Sequence, residues 1–282
     1  MAETLPGARR VEHIMGMPIL VDVREDVDED VLERVFDWLR FVDATFSTYK
    51  EESEISRLNR GELTLEQAHP DLCDVLERCE RVRQETNGYF DVRAASPEAI
   101  DPSGLVKGWS VDRAAAILDE AGVRNYAINA GGDMRLRGRA VPERWWRVGI
   151  QHPHERHRLA AVVAASDLAI ATSGASARGD HVLDPHTRRP PSGVLSVTVV
   201  GRDLATADAY ATAAYAMGGA AGPAWTARLC GYEAMSILAD ETVLTTAGFP
   251  LAAPDDRPAT NGQGSFSRSG TNPSEAPARM SA

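Results

Sequence analysis

Residues 101–133 open as Asp101-Pro-Ser-Gly-Leu-Val-Lys-Gly-Trp-Ser110 and close as Asn125-Tyr-Ala-Ile-Asn-Ala-Gly-Gly-Asp133, with a helix-like segment between. The first part offers a carboxylate, a glycine turn and a lysine; the second is an apolar strand ending in a glycine pair and another carboxylate. Glycines at the start of a helix leave backbone N–H groups open, and a nearby lysine adds a cation, so the pattern suits a phosphate-bearing ligand. Taken alone, a glycine-lysine turn is more often an ordinary loop. Gly104-Leu-Val-Lys107 does not follow Gly-x-x-x-x-Gly-Lys-Ser/Thr, and no Gly-x-Gly-x-x-Gly follows a strand. The chain on either side has to decide.

Upstream, residues 11–23 read as strand, with Gly16 and Pro18 marking a break or an edge. Val31, Val35, Leu39 and Val42 recur at helical spacing and predict an amphipathic helix over about residues 28–44. Residues 46–59 are rich in hydroxyls, with single apolar residues and no clean period, which reads as a loop leading into a short helix at Ser53. Leu72, Val75, Leu76, Cys79 and Val82 line one face of a second amphipathic helix that ends at Asn87-Gly88. Residues 89–92 are a short extended segment. Ser110 is placed to cap a helix with Val111, Ala114, Ala115 and Leu118 inward, and Gly122 ends it.

Downstream, strands are expected at residues 126–130, 144–151, 159–164, 169–172 and 195–200. An alanine-rich helix follows at 206–217, and another at 220–229 broken by Pro223. Strands at 232–238 and 242–246 close the series. Strands and helices mix without strict alternation, so the fold class is α+β, with mixed or antiparallel sheets and packed helices. Residues 1–10 read as a flexible leader and 11–249 as one domain. Residues 250–282 are rich in Pro, Ser, Gly, Asn and Asp; they bury too little surface to offset their ordering entropy and are expected to be disordered.

The 282 residues are 43% hydrophobic and 25% charged, a soluble globular composition. A net charge of −11 argues against nucleic acid or an anionic membrane surface as the main partner. The N-terminus shows no signal-peptide core, and no run approaches the roughly 18 apolar residues of a bilayer span. Cys73, Cys79 and Cys230 have no metal-type spacing and read as buried thiols in a reducing compartment. These features together indicate a cytoplasmic protein.

Two further clusters could carry chemistry. Asp208 and Thr212 lie four apart, on one face of the alanine-rich helix, and both present oxygen, as a hard divalent cation requires. The alternative is a polar pair on a solvated face. In Asp180-His-Val-Leu-Asp-Pro-His-Thr187, His181 is either an acid/base group or a packed, hydrogen-bonded histidine. Ala171-Thr-Ser-Gly174 is a hydroxyl-and-glycine turn able to meet an anion. His152, His154 and His157 sit in a charged loop and read as surface. Neither Gly-x-Ser-x-Gly nor His-Glu-x-x-His is present.

In chain order, the informative segments begin with Met15-Gly16, Phe46-Ser-Thr-Tyr49, Ser53-Glu-Ile-Ser-Arg-Leu-Asn59 and Gly88-Tyr-Phe-Asp91. Next come Asp101 to Lys107-Gly108 with Asp112, Asn129-Ala-Gly-Gly-Asp133 and Ala171-Thr-Ser-Gly174. His181-Val-Leu-Asp-Pro185, Ser196-Val-Thr198 and Ala207-Asp208 with Thr212 complete the series. This collinear set, over roughly residues 15–246, resembles the ApbE family of FAD:protein FMN transferases. The resemblance implies an enzyme that uses Mg²⁺, takes FAD, and attaches FMN to a Ser or Thr hydroxyl of an acceptor flavoprotein, releasing AMP. It implies FAD contacts from Met15, Tyr49, Tyr89, Phe90, Asp91, Asp101, Lys107 and Leu183. The metal would be held by Asp208, Thr212 and the Gly104 carbonyl, with His181 as the candidate for activating the acceptor hydroxyl. An FAD pyrophosphatase giving FMN and AMP, and a non-catalytic FAD-binding protein, are the alternatives. Met17 stands where the family has Thr, Arg188 where it has Gly after Asp-Pro-x-Thr, and the segment between Gly174 and His181 is short. The last two bear on the acceptor side.

Overall fold

The computed structural model describes residues 7–142, 144–155, 157–174 and 182–252, which belong to one compact unit ending at Ala252. Of the tail expected to be disordered from 250, residues 250–252 instead pair with the segment around Val163, through Ala164 N–H to the Pro250 carbonyl and Ala252 N–H to the Val162 carbonyl; from 253 onward it lies outside the described residues.

The chain opens with a hairpin, β1 (Ala8–Ile14) and β2 (Met17–Val23). Met15 and Gly16, at φ of 54° and 71°, form its two-residue turn. Two successive positive φ values match the twist of paired strands, which is why a break within the apolar run becomes a reversal. The segment expected as one interrupted strand is therefore two, and the first begins at Ala8, inside the stretch read as a leader.

Helices α1 (Glu29–Phe46), α2 (Glu54–Asn59) and α3 (Pro70–Glu85) follow, with a single 3₁₀ turn at Leu65–Gln67. Ser53 Oγ accepts from Ser56 N–H at 3.1 Å and caps α2. Asn87 and Gly88, both at positive φ, terminate α3 as the Asn-Gly pair predicts. Then come α4 (Ser103–Glu120), β3 (Tyr126–Ala130), β4 (Asp133–Arg137), β5 (Arg139–Val141), β6 (Arg144–Gln151), β7 (Leu159–Ala165), β8 (Ala169–Gly174) and β9 (Val194–Gly201). The series ends with α5 (Leu204–Ala216), α6 (Gly218–Thr226), β10 (Tyr232–Leu238) and β11 (Val243–Thr245).

Among the described residues, eight strands form an antiparallel sheet in the order β1-β2-β3-β4-β8-β9-β10-β11. A second antiparallel sheet is β5-β6-β7. Strand alternation sorts the large sheet into two faces. Val21, Val23, Ile128 and Val199 pack against Val35 and Leu39 of α1, Leu118 of α4 and Ala207 and Ala211 of α5. Ala127, Leu136, Val200 and Ile237 face the other way, onto Trp146, Ile150 and Val163 of the small sheet. A third cluster joins Val42 and Phe46 of α1, Val75 and Val82 of α3 and Trp109 of α4 with Ala209 and Ala213 of α5.

This sharing explains both central helices. α5 belongs to two cores at once, so it is apolar nearly all round and built from alanine. α4 is buried on both sides too, and this corrects the reading of Ser110 as its cap: the helix already begins at Ser103. Ser110 lies in its buried interior, with Oγ donating to the Lys107 carbonyl at 2.8 Å. Gly104 and Gly108 do not break a loop; they let α5 come close. A Cβ on Gly108 would stand well inside van der Waals distance of the Leu204 carbonyl.

Three smaller differences have local causes. Strands β4 and β5 were not foreseen, because they are only five and three residues long and interrupted by arginines. Pro223 lies within α6 without ending it. His152 is buried, not on the surface, and its Nδ1 accepts from His154 and Glu155 N–H at 3.3 Å each, so it holds its own turn; His154 and His157 are exposed as expected. Of the three thiols only Cys79 is buried, while Cys73 is half-buried and Cys230 exposed; burial pushes Cys79 up to about 12, with the Asp101 charge adding to it, as suits an inert core cysteine.

Gly108→Ala should destabilise the fold by about 1–3 kcal/mol, the usual cost of overpacking, because the new methyl meets backbone. Urea unfolding measures it. An unchanged midpoint would show that α4 and α5 are not in such close contact.

Candidate active site

The close approach of α4 and α5 brings together a lysine and two carboxylates. Lys107, on α4, places Nζ 2.6 Å from Asp133 Oδ2 and 3.4 Å from Asp208 Oδ1. Asp133 stands at the first residue of β4, just after Gly131-Gly132, and Asp208 on α5; both are almost fully buried. Asp133 Oδ1 accepts from Thr172 N–H at 2.9 Å, while Asp208 Oδ2 accepts from Gly108 N–H at 3.3 Å. Asp133 Oδ2 has the lysine near it but no well-directed hydrogen bond. The charge attraction is thus present while the oxygen keeps a lone pair open.

Two buried carboxylates against one ammonium leave an excess negative charge, and its effects are visible. Burial raises the Asp208 pKa; Lys107 opposes that rise and Asp133 adds to it. For Lys107, burial works to lower the pKa, but Asp208 and Asp133 together outweigh it and hold the ammonium charged.

One turn along α5, Thr212 Oγ1 lies 3.2 Å from Ser173 Oγ of β8. Gly104 faces it: a Cβ there would come 3.6 Å from Thr212 Oγ1 and 3.2 Å from the Phe90 ring. In an α-helix the Gly104 carbonyl is paired with the N–H of Gly108. That N–H also donates to Asp208, so the carbonyl shares its donor. Gly104 and the Thr212 hydroxyl thus lie side by side, with the Asp208 carboxylate one turn back on α5.

The other expected residues spread outward from this seam. Phe90 is buried against Gly104, its N–H held by Thr86 Oγ1 at 3.0 Å. Tyr89 packs edge-on to His186, with ring centroids 4.6 Å apart, and joins the loop after β8 to the end of α3. Leu183 is half-buried in that loop. Asp101 accepts from Ser103 N–H at 3.0 Å and caps α4, where Pro102 has no side chain able to do so. Asp91 accepts from Arg93 N–H within its own turn. Met15, on the hairpin turn, packs against both helical cores, and Tyr49 is 94% exposed between α1 and α2. His181 lies outside the described residues. Arg188 adopts φ of 56°, so the turn from Asp184 to Arg189 keeps a conformation that favours glycine despite the substitution.

Sequence reasoning assigned no role to Asp133 or Asp112, and it read Ala171–Gly174 as a turn, whereas these residues end strand β8 and pair with β9, with Ser173 reaching Thr212. The signal was present for Asp133: a carboxylate after a glycine pair at a strand end. For Asp112 it was absent, because its task depends on a distant helix. Asp112 accepts from Leu204 N–H at 2.8 Å and Ala205 N–H at 2.9 Å, so α4 supplies a cap to α5 and sets the register between Lys107 and Asp208.

With that geometry in view, comparison with known proteins is direct. A model of the ApbE family matches residues 15–97 and 93–236. The chain belongs to the ApbE family. A relative from Vibrio cholerae serotype O1 named FAD:protein FMN transferase is 36% identical over 129 residues, covering 42% of this chain and 39% of its own length. A Haemophilus influenzae protein of the same name is 25% identical over 243 residues, covering 64% and 70%. The chain thus spans about two fifths of the Vibrio relative. The solved structure of the flavin transferase ApbE from Vibrio cholerae superposes with a TM-score of 0.76 at 24% identity, over 87% of this chain and 99% of that one. The ApbE protein from Thermotoga maritima gives 0.76 at 20%, over 86% and 98%. The ApbE-like α+β fold is therefore shared. Among the described residues, no helix is long and apolar enough to cross a membrane.

Burial raises Asp112 to about 6, against the pull of the Ala205 and Leu204 N–H groups and of Arg135. A folded pKa above the ordinary 3.8 means that the native state binds the proton more tightly than the unfolded chain. This contribution to stability is complete below about pH 4 and is lost as pH rises through about 6. Asp112→Asn keeps one acceptor and cannot ionise, so its stability relative to wild type should rise across that window, by on the order of 2 kcal/mol. Paired urea titrations between pH 4 and 7 measure this, and a pH-independent difference would contradict it.

Proposed function

We propose that this chain is an FAD:protein FMN transferase that moves FMN from FAD to a Ser or Thr hydroxyl of an acceptor flavoprotein and releases AMP. The observation that carries this reading is the seam itself. Gly104 and Lys107 of α4 meet Asp208 and Thr212 of α5 beside Asp133, in a family whose relatives bear that activity in their names.

In the reaction, the acceptor oxygen bonds to the phosphorus on the FMN side of the diphosphate. The bond from that phosphorus to the bridging oxygen breaks, AMP leaves with the electron pair, and the hydroxyl proton is lost. His181 is the residue we assign to receive that proton. Lys107, kept charged by its two carboxylates, sits where it offsets phosphate charge. Asp208, Thr212 and the Gly104 carbonyl would hold Mg²⁺. The fit rests on an all-oxygen donor set, on the close approach of Gly104 to Thr212, and on the excess negative charge around Lys107. When bound, Mg²⁺ supplies Lewis acidity to the diphosphate and offsets charge on the leaving group. Met15, Tyr49, Tyr89, Phe90, Asp91, Asp101 and Leu183 complete the FAD surface in this reading. Asp112 keeps the two helices in register, and the paired Tyr89 and His186 rings anchor the Leu183 loop.

Incubation with FAD, Mg²⁺ and a flavoprotein carrying an acceptor threonine should yield a covalent FMN adduct and one AMP per adduct by mass spectrometry. Asp208→Ala should lower turnover by at least about 100-fold, as loss of a charge-stabilising group does, and EDTA should abolish it. AMP release at a rate indifferent to the acceptor would identify a pyrophosphatase instead. FAD retention in EDTA with no AMP would identify a binding protein. Full activity in Asp208→Ala would remove the metal assignment.

A further inference from the structure

The segment Asp184-Pro-His-Thr-Arg-Arg189 carries a second histidine, His186, to which the seam gives no task. His186 is exposed, so the hydrophobic cores do not depend on it. Its base is nonetheless closely held, because Asp184 closes the turn on itself. The Asp184 carboxylate accepts from His186 N–H and from Thr187 Oγ1, each at 2.9 Å. Its carbonyl accepts from Arg188 N–H at 2.7 Å, and its own N–H donates to the Arg189 carbonyl at 2.9 Å. An Asp-Pro turn tied in this way carries His186 on a fixed base.

The imidazole crosses to the end of α3. Nε2 lies 3.2 Å from the carbonyl of Asn87, 99 positions away, and since a carbonyl only accepts, Nε2 carries the proton. The Tyr89 ring meets the imidazole edge-on, with centroids 4.6 Å apart and 70° between planes. Gly88 stands between these contacts, and a Cβ there would come 3.3 Å from His186 Cε1. Asn87, Gly88 and Tyr89 together form a seat for one imidazole. Among the described residues, the hydrogen bond and the ring contact from this turn to the end of α3 both come from His186.

On one side of this contact, Leu183 immediately precedes the turn, and Val182 before it packs against the helical core. On the other, Tyr89 leads into Phe90, whose ring lies against Gly104. A ligand that touches both segments binds more tightly when they are already joined, because their relative freedom is lost before it arrives. We propose that His186 is a positioning residue for FAD. Through Tyr89 and the Asn87 carbonyl it fixes the Leu183 turn against the Tyr89–Asp91 segment. This rests on the transferase reading, in which Leu183 and Tyr89 are FAD contacts.

The first readout is FAD affinity in Mg²⁺ without acceptor, followed by isoalloxazine fluorescence. His186→Ala should weaken it about tenfold, the combined size of one ring pair and one hydrogen bond. His186→Phe keeps a ring and His186→Gln keeps a donor, so each should recover part of the loss. In a Tyr89→Ala background, His186→Ala should cost less than about threefold, because the ring contact is already gone. With an acceptor present, the loss should fall on KM for FAD rather than on kcat. Thermal melts of the His186 variants should match wild type, since the position is exposed. Equal FAD affinity in wild type and His186→Ala overturns the inference and leaves the transferase reading standing. So does a full tenfold loss in the Tyr89→Ala background. A lowered melting temperature in His186→Ala, with affinity recovered in neither His186→Phe nor His186→Gln, would assign the histidine to the fold and also overturn it. A wild-type chain that binds no FAD contradicts the transferase reading and this inference together.

Discussion

Lys107 stands between two buried carboxylates that come from different parts of the chain, and much of the architecture can be understood as holding them there. Asp133 arrives on β4, after a glycine pair that leaves the sheet's edge turn free to bend. Asp208 arrives on α5, whose alanines let it slide against α4 until Gly108 N–H touches its carboxylate. One ammonium does not neutralise two buried carboxylates, and an imbalance of this kind is expensive in a fold unless something relieves it. A divalent cation would more than offset it, and the surplus positive charge would then suit a diphosphate.

The constraint reaches outward through packing. α5 has to touch the sheet, α4 and the α3 core together, so it carries no polar face apart from the residues turned to the seam. Asp112 fixes its N-terminal end from α4, and Tyr232 meets Asp203, the residue that caps α5 through Thr206 N–H. The helix is thus held at its start by side chains from two other elements. Displacement along its axis would carry Asp208 and Thr212 away from Lys107 and Gly104 together.

Much of this could be read from residues, and what could not has a physical reason. The helices α1 and α3 were legible because each buries one stripe and leaves the other to solvent, and most strands of the large sheet because they are short apolar runs bounded by turn residues. α4 was misread at its start. A helix buried on two sides shows no amphipathic stripe, and its glycines then look like a turn when they serve as contact points. The pairing of Asp208 with Thr212 was visible at its four-residue spacing. The approach of Gly104 to Thr212, across about a hundred residues, was not visible from spacing and came only through family likeness. Asp112 and Ser173 act on partners that only the fold supplies. His152 looked like a surface residue because its neighbours are charged, yet its imidazole turns inward to accept from its own loop.

The seam between α4 and α5 can be interrogated without any acceptor protein. Phosphorus NMR of FAD bound to the chain, with Mn²⁺ as a paramagnetic substitute for Mg²⁺, reports whether a cation at these oxygens touches the diphosphate. Strong broadening of both phosphorus resonances in wild type, abolished in Asp208→Asn while FAD remains bound, is the expected result. Equal broadening in the two proteins, or none in wild type, would contradict a shared metal and phosphate site at Lys107, Asp208 and Thr212.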